Sequence, residues 1–343
     1  MSRPLVSVVV VNYNGWPDVE ALVAALAASD EIARGVCEIL VVDNASADPP
    51  PESFLRPVEG VRLNVRPDNG GFAVGVNAGW RASNAPWVLL LNPDVSVEPG
   101  LLKRVVERVR HYEEGEPPGI VGFALRNPDG SPQHSVGRFP TLGRAFREQL
   151  IPRSRRKYQP VWSTRPGPVD WVTGACLLAN ARLLETLGGL DEDFFLYYEE
   201  VALCRSARRL GWRVEFDPSV EVVHLRPLQN RGVSPKLRVI TRHSKLLYFR
   251  KHLPRWQFLA LCAVVAAESR VKGAWARLRG RPEEAGAWRV IAQVERELRS
   301  GIDLSGQTVL SLAESATTRE TAGIARPTGR SRPETKRAPS RRT

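Results

Sequence analysis

Two apolar segments of this chain each end at a carboxylate. The run 39–42 stops at Asp43, and the run 87–91 is followed within three residues by Asp94. Short runs rich in Val, Ile and Leu are typical of strands buried in a parallel sheet, and ligands bind at the carboxyl ends of such strands. Acids at that edge suit a ligand with hydroxyl groups, a nucleobase or a metal-bound diphosphate.

The segments around these runs alternate between the patterns of strands and helices. Helices are expected after Trp16, Ala73 and Pro99, and strands over 5–11, 37–42, 61–65, 87–91 and 120–125. This alternation predicts an α/β fold with a mostly parallel sheet and helices on both faces.

The second half is less regular. A Pro- and Arg-rich segment, 131–168, is expected to form a mobile loop over the sheet. The later expectations are a strand over 169–179, a helix over 196–210, short strands at 213–216 and 220–224, amphipathic helices from Pro235, and a disordered basic tail over 316–343.

Composition limits the class of protein. Lys and Arg number 49 against 37 Asp and Glu, so the formal charge of +12 favours anionic partners without identifying them. The four cysteines form no CxxC pair, so neither disulfides nor a zinc site is expected, and a cytoplasmic location is favoured. The apolar runs 5–11 and 258–267 are too short for a signal peptide or a membrane span, respectively. P-loop, GxGxxG, HExxH and GxSxG motifs do not occur.

A series of short polar motifs follows the predicted strands in order. Its members are Tyr13-Asn14, Asp43-Asn44-Ala45-Ser46, Asn69-Gly70-Gly71-Phe72, Asn77, Asn92-Pro93-Asp94, Trp171-Val172-Thr173-Gly174-Ala175, Asp191-Glu192-Asp193-Phe194-Phe195, Tyr198-Glu199-Glu200 and His224. Over roughly residues 4–252 the chain resembles glycosyltransferase family 2, particularly its rhamnosyltransferase-like branch, which builds bacterial surface polysaccharides. The resemblance implies a GT-A type fold. It also implies inverting transfer of a sugar, with rhamnose expected, from a dTDP or UDP donor to a cell-envelope glycan or lipid-linked acceptor.

The resemblance places a nucleotide-sugar donor at the carboxyl edge of the sheet. Asp43 would accept hydrogen bonds from the base or ribose, and Tyr13 would offer its ring to the base. Asp94 and His224 would bind Mg²⁺ or Mn²⁺ on the diphosphate. The other donor contacts implied are Asn14, Asn44, Asn69, Gly71, Asn77 and Asn92. For Asp43, capping of the next helix together with Ser46 is the structural alternative.

The resemblance also assigns the base and the acceptor side. Glu200 would deprotonate the acceptor hydroxyl, with Glu199 orienting it or replacing it. As an alternative, both acids simply favour the helix N-terminus. The expected acceptor contacts are Trp171, which could equally belong to the core, together with Gly174, Ala175 and Asp193. Arg226, Arg231 and Arg238 are candidates for stabilising the leaving diphosphate, or for a solvated basic face.

Two residues depart from the family pattern Glu-Asp-x-Asp-Leu. Glu200 has one methylene more than the usual Asp, and Ala202 replaces the second Asp. A displacement of about 1 Å can lower a rate roughly 100-fold. An enzyme with altered acceptor use is therefore the main hypothesis, and a catalytically weakened scaffold that binds glycans or sugar nucleotides is the alternative.

Three regions are expected along the chain: a catalytic domain over 1–245, a helical membrane-proximal segment over 246–315, and the tail. Aromatic and Arg residues between Arg242 and Trp288 suggest peripheral contact with the inner face of the cell membrane, although packing on the catalytic domain would also explain them. Without a nucleic-acid reading motif, no nucleic-acid partner is expected.

Overall fold

The computed structural model describes residues 3–149, 166–226 and 232–322. The strands in these ranges are β1 Val6–Asn12, β2 Cys37–Asp43, β3 Val61–Val65, β4 Trp87–Leu91, β5 Val95–Ser96, β6 Ile120–Arg126, β7 Pro132–Gln133, β8 Val136–Gly137, β9 Gly167–Pro168, β10 Trp171–Val172, β11 Cys176–Asn180 and β12 Val214–His224. The helices are α1 Trp16–Ala27, α2 Asp30–Ala33, α3 Glu52–Leu55, α4 Phe72–Arg81, α5 Leu101–Glu113, α6 Leu142–Gln149, α7 Ala181–Leu187, α8 Glu199–Arg209, α9 Pro235–His252, α10 Arg255–Leu278, α11 Pro282–Ser300 and α12 Gly306–Ala322.

Beside a two-stranded sheet of β8 and β10, a ten-stranded mixed sheet organises the described part of the molecule. Its strands lie in the order β3-β2-β1-β4-β11-β6-β12-β5, with β7 beside β6 and β9 beside β12. The first four strands of this order are parallel, whereas β11 runs antiparallel to both β4 and β6. The carboxyl ends of β1, β2 and β4 therefore lie at one edge, as the sequence predicts.

The sheet separates two apolar cores, because successive side chains of a strand point to opposite faces. Val8 and Val10 join a core with α1 and α5, whereas Val9 and Val11 join the core on the other face. Strands buried on both faces in this way explain the uninterrupted valine run of β1.

The C-terminal helices belong to the second of these cores. Phe249 of α9, Phe258 of α10 and Ile291 of α11 join the same apolar cluster as Val9. The expected boundary at 245/246 falls inside α9. None of the helices in the described ranges is long and apolar enough to cross a membrane.

Several sequence-based expectations differ from the structure. The expected loop 131–168 contains β7, β8, α6 and β9, with its central part outside the described residues. The expected strand 169–179 is two strands, β10 and β11, separated by a turn, and the two short strands after residue 213 are one strand, β12, with an irregularity between Asp217 and Glu221. α12 continues to Ala322, so the expected tail begins as helix, and residues 323–343 lie outside the described ranges.

That irregularity in β12 holds a buried acid. The Asp217 carboxylate accepts hydrogen bonds from Arg108 Nε at 2.7 Å, from the Ser219 amide at 2.9 Å and from the Tyr112 hydroxyl. Burial acts to raise the pKa of Asp217, but these hydrogen bonds and the Arg108 charge outweigh it and hold the pKa below its usual range. The cluster joins α5 to the sheet in its ionised form.

We expect Asp217→Asn to lower the free energy of unfolding by about 2–3 kcal/mol at pH 7, because it removes the charge that Arg108 and Tyr112 solvate. Since the folded-state pKa is depressed, this stabilisation is present above the unfolded-state value of about 3.9 and is lost as the pH falls through the folded value. Urea unfolding at pH 7 and pH 3 should show the difference from wild type shrinking in acid. Asp30→Asn, which breaks an exposed pair with Arg34, is the control and should change stability by less than about 0.5 kcal/mol. An equal effect of both variants would contradict the role of the cluster.

Candidate active site

A cavity of about 720 Å³ opens at the carboxyl edge of the sheet. The ends of β1, β4 and β12, the 173–175 turn and the N-terminus of α8 surround it. The structure brings ten of the sequence-predicted site residues together in its wall: Tyr13, Asn14, Asn92, Asp94, Gly174, Ala175, Glu199, Glu200, His224 and Arg226. Asp94 and Glu200, which come from distant parts of the chain, thus share one cavity.

Asp94 and His224 face each other in this wall. Antiparallel pairing of β5 with β12 aligns His224 with Val95, next to Asp94, and the Leu225 amide donates to the Asp94 carbonyl at 2.9 Å. The imidazole Nε2 lies 3.3 Å from the Asp94 carboxylate. On the other side of the ring, Nδ1 lies 3.0 Å from the Gln133 side-chain oxygen. A carbonyl oxygen only accepts, so this contact calls for a proton on Nδ1 and turns Nε2 towards the Asp94 carboxylate.

The donor set of this pair fits a divalent cation. An imidazole nitrogen and a carboxylate oxygen 3.3 Å apart are chemically suited to bind the same divalent cation when the imidazole is neutral. Across the described ranges, no group of three or more His, Cys, Asp or Glu side chains is arranged to hold a metal. A cation at Asp94 and His224 would therefore take its remaining ligands from water or from a bound diphosphate, the usual arrangement for Mg²⁺ in phosphate-transfer sites.

Glu199 and Glu200 are the first residues of α8, and both carboxylates are largely buried at the cavity. The helix begins at Glu199, not at residue 196 as expected, because Tyr197 and Tyr198 have φ values of 68° and 73°. Bulky residues rarely adopt this left-handed conformation, so the turn stores backbone strain. The helix N-terminus that follows favours negative charge on both acids.

Neighbouring elements hold the strained turn from two sides. The Phe72 amide at the start of α4 donates to the Phe195 carbonyl at 2.8 Å, and the Ser244 hydroxyl of α9 donates to the Leu196 carbonyl at 2.9 Å. Gly71 permits the first contact, because a Cβ at this position, whose φ is 94°, would collide with the Phe195 backbone. Gly71 thus packs closely against the turn that carries the acids, and its contact with a donor stays a prediction.

Asp43 lies one layer behind the cavity wall. Its carboxylate accepts from Asn12 Nδ2 at 2.8 Å and from the Ser46 amide at 3.1 Å. Ser46 in turn accepts from the Asn14 amide at 2.8 Å. The acid therefore shapes the turn that presents Tyr13 and Asn14, and the following segment is a loop rather than the helix that a capping role requires. Direct contact between Asp43 and a donor stays a prediction.

Three expected donor contacts, Asn44, Asn69 and Asn77, also lie outside the cavity lining. Asn44 Nδ2 donates to Asn69 Oδ1 and to the Gly71 carbonyl, each at 2.9 Å. Asn77 is fully buried and donates to the Leu190 carbonyl at 2.8 Å, which joins α4 to the loop before α8. These amides tie the loops around the site together, because buried amides need partners inside the protein.

Two expected acceptor contacts are placed elsewhere. The Trp171 side chain is in the core, only 1% exposed, and its Nε1 donates to the Arg138 carbonyl at 3.0 Å. Asp193 pairs with Lys251 of α9 outside the cavity. Of the acceptor set, Gly174 and Ala175 remain in the wall. A Cβ on Gly174 would lie 3.9 Å from the Glu200 Cβ, so this turn forms the wall beside Glu200.

Sequence reasoning missed several residues that line the cavity: Asp18, Phe72, Gln133, His134, Leu196 and Tyr197. Arg226, a leaving-group candidate, is among the lining residues and forms an ion pair with Asp18. Arg238 instead stacks on Trp288, 5.4 Å from the ring centre, and Arg231 lies outside the described residues. Of these residues, Tyr197 could have been predicted from the sequence, because it directly precedes the motif Tyr198-Glu199-Glu200.

Two histidines and one cysteine outside the cavity lining are buried, and burial shifts their pKa values. Burial and the charges of Arg209 and Arg205 lower the pKa of His252 to about 4, and burial lowers that of His243 to about 4. Burial raises the pKa of the Cys204 thiol to about 12. These imidazoles are neutral and this thiol is protonated at pH 7, which leaves the carboxylates, His134 and His224 as the candidate reactive groups at the cavity.

Relatives and solved structures share this architecture. The family described as Glycosyl transferase family 2 matches residues 7–164. The chain is 28% identical over 267 residues, 71% of its length, to N-acetylglucosaminyl-diphospho-decaprenol L-rhamnosyltransferase of Mycobacterium tuberculosis, of which it covers 82%. It is also 28% identical, over 76% of its length and 81% of the relative, to the low-salt glycan biosynthesis hexosyltransferase Agl10 of Haloferax volcanii.

The fold is shared with the mannosyltransferase PcManGT from Pyrobaculum calidifontis, whose structure is a complex with GDP-Man and Mn²⁺. The TM-score is 0.50 at 19% identity, and the match covers 93% of this chain and 88% of that one. This confirms the expected GT-A fold, and the sequence matches confirm the expected family. Residues 7–164 thus match glycosyltransferase family 2, the chain is similar to rhamnosyltransferases along most of its length, and it is a nucleotide-sugar-dependent glycosyltransferase.

Proposed function

We propose that this enzyme transfers L-rhamnose, with inversion, from a nucleotide diphosphate to a lipid-linked glycan acceptor of the cell envelope. The observation that carries the proposal is the placement of Asp94, His224 and Glu200 in one cavity. A phosphate-side pair and an acid from another element are the two parts that a single in-line displacement requires.

Glu200 is the proposed general base. Its carboxylate takes the proton of the acceptor hydroxyl while the hydroxyl oxygen forms a bond to the anomeric carbon. The bond from that carbon to the diphosphate oxygen breaks on the opposite side, and the nucleoside diphosphate leaves with the electron pair. Glu199, on the same helix turn, is proposed to orient Glu200 or the acceptor.

The opposite side of the reacting carbon belongs to the leaving group. Asp94 and His224 would hold Mg²⁺ or Mn²⁺ there, and when bound the cation neutralises charge that develops on the diphosphate. Gln133 fixes the imidazole tautomer for this role. Arg226 supplies a second positive charge, and Asp18 holds its guanidinium at the cavity edge.

The donor subsite is proposed at the Tyr13–Asn14 turn. The Tyr13 side chain is half exposed and lines the cavity, so its ring is available to stack on the base. Asp43 supports this turn from behind, and its contact with the base or ribose would require the loop to shift.

The sugar and acceptor are proposed from the relatives. The matched Mycobacterium tuberculosis protein is described as a rhamnosyltransferase acting on an N-acetylglucosaminyl-diphospho-decaprenol, which is a lipid-linked sugar. A lipid-linked acceptor places the enzyme in the cytoplasm, in peripheral contact with the inner face of the cell membrane.

One observation keeps a non-catalytic scaffold as the second candidate. Ala202, where the family pattern has an acid, is buried in an apolar cluster and leaves α8 without that carboxylate. Such a protein would bind a sugar nucleotide or glycan without turnover.

We expect Glu200→Gln to lower the transfer rate about 10²–10⁴-fold while nucleotide-sugar affinity stays within a few-fold, because the amide cannot take the acceptor proton. Glu200→Asp, which shortens the base to the family's usual length, should retain more activity than Glu200→Gln. Initial rates and donor binding would be measured together. Glu107→Gln, an exposed change on α5, is the control, and equal turnover in wild type and Glu200→Gln would favour the scaffold.

We expect Asp94→Asn and His224→Ala to abolish the stabilisation that Mn²⁺ plus a nucleoside diphosphate gives the wild-type protein. The reason is that each change removes one of the two proposed protein ligands. Differential scanning fluorimetry with and without EDTA measures this without relying on activity. Asp303→Asn, which alters an exposed pair with Arg250, should leave the response unchanged. An intact metal response in both site variants would disprove the assignment.

We expect dTDP-rhamnose with Mn²⁺ or Mg²⁺ to raise the melting temperature more than UDP-glucose or GDP-mannose. A ligand at 100 times its Kd stabilises the folded state by about 2.7 kcal/mol, so the preferred donor gives the largest shift. A larger shift with another nucleotide sugar would replace rhamnose as the proposed sugar while keeping the transfer reaction.

A further inference from the structure

Helix α10 is apolar on two opposite sides. One side, which includes Phe258, Leu261, Val265 and Ala276, packs into the core. The opposite side is exposed and carries Trp256, Ala263, Ala267, Val271, Ala274 and Leu278, which recur at steps of three, four or seven residues and so lie along one stripe of the helix. We call this stripe the outer face of α10.

The exposure of the outer face is large at both ends of the helix. Trp256 is 64% exposed, Val271 69% and Leu278 87%, and Trp275 at the edge of the stripe is 45% exposed. A helix that covers a soluble domain normally presents polar residues to water. A continuous apolar stripe over six turns therefore indicates a partner surface.

The borders of the outer face are strongly basic. Between residues 254 and 281, Glu268 is the single acid, and the basic residues are Arg255, Arg270, Lys272, Arg277, Arg279 and Arg281. Glu268 is neutralised by Arg242 at 2.8 Å and by Lys272. Arg279 lies 3.9 Å from the Trp275 ring centre, so a guanidinium and an indole are presented together. This combination of rings and cations is complementary to an anionic, partly apolar surface.

A groove of about 370 Å³ between α10 and α11 adjoins the outer face. Its apolar lining residues are Leu259, Ala263, Ala266 and Ala292, and its basic ones are Arg270, Arg296 and Arg299. Glu295 is the acid of the groove, and its carboxylate accepts from Arg299 Nε at 2.8 Å. Two further guanidiniums above an apolar floor suit a phosphate attached to hydrocarbon.

We propose that the outer face of α10 and the adjoining groove dock the enzyme on an anionic phospholipid bilayer, with the groove receiving a lipid phosphate. Trp256, Val271 and Leu278 enter the interfacial layer, and the basic borders contact headgroups. The choice of a membrane as the partner rests on the proposed lipid-linked acceptor. The location on α10 rests on exposure and charge alone.

Charge favours the bilayer over a second copy of this chain. Pairing two outer faces around a twofold axis would bring two basic borders together, and such like-charge contact opposes association. The structure also reduces the number of aromatic residues between Arg242 and Trp288 that could contact a membrane. Four of them are buried and unable to do so: Tyr248, Phe249, Phe258 and Trp288.

The test is co-sedimentation of the full chain with vesicles of phosphatidylcholine alone or with about 30 mol% phosphatidylglycerol. We expect binding to the anionic vesicles that weakens as salt rises. The double variant Val271→Glu/Leu278→Glu should weaken it about tenfold or more, since both carboxylates would enter the interface. Leu55→Glu/Val58→Glu, which alters two exposed apolar residues elsewhere, should bind as wild type does.

A second pair of variants tests the groove. Arg270→Glu/Arg296→Glu should lower binding far more than Arg34→Glu/Arg56→Glu, which changes the net charge equally at exposed sites away from α10. Equal loss in both would show attraction by net charge without a docking face. No binding to anionic vesicles, or wild-type self-association that Val271→Glu/Leu278→Glu abolishes, would overturn the proposal.

Transfer to a water-soluble acceptor analogue separates this inference from the proposed function. The Val271→Glu/Leu278→Glu variant should keep its thermal melting profile and its transfer rate with such an acceptor. If transfer is observed without vesicle binding, the docking face is wrong and the proposed function stands. If vesicle binding is observed without transfer to any acceptor, the docking face stands and the proposed function is wrong.

Discussion

The parallel pairing of β1 with β2 and β4 is the constraint on which the site depends. It aligns Asn12 with Asp43 and Val10 with Leu91, so the loops after all three strands leave the sheet at one edge. Because both faces of these strands are buried, a shift by one residue would turn apolar side chains into the wrong core. The cavity is thus anchored to the part of the molecule that is most resistant to deformation.

The proposed phosphate side and the proposed base side of the cavity are built by different kinds of structure. Asp94 and His224 are fixed by the antiparallel register between β5 and β12, which is backbone pairing. Glu200 is fixed by a strained turn that has to be held in place by Phe72 and Ser244. The strain is compensated by contacts from two neighbouring helices, which is how unfavourable backbone conformations persist at functional sites.

The contacts that hold the turn before α8 also connect it to the proposed donor side of the cavity. The segment 69–72 contacts Asn44 on one side and the turn before α8 on the other, so hydrogen bonds connect the loop after β2 with the turn that precedes the acids. The C-terminal helices take part in the same arrangement, because α9 supplies Ser244 and shares its core with the sheet. Catalytic geometry and the outer face of α10 consequently belong to one packed body.

The amino-acid sequence by itself predicted the alternation of strands and helices in the first 125 residues, the fold class and the family, and it named Asp94, Glu200 and His224 as candidate site residues. The alternation follows from short-range pattern, whereas the family and the candidate residues follow from the resemblance of the ordered polar motifs to glycosyltransferase family 2. Only the tertiary structure decided which of the polar residues reach the cavity. Asp43, Asn77 and Trp171 have the right types in the right order, yet each is buried among partners from distant segments. The two φ-positive tyrosines, the Asp18–Arg226 pair and the exposed stripe of α10 were equally undetermined, because burial, backbone strain and long-range pairing arise from packing between segments far apart in the chain.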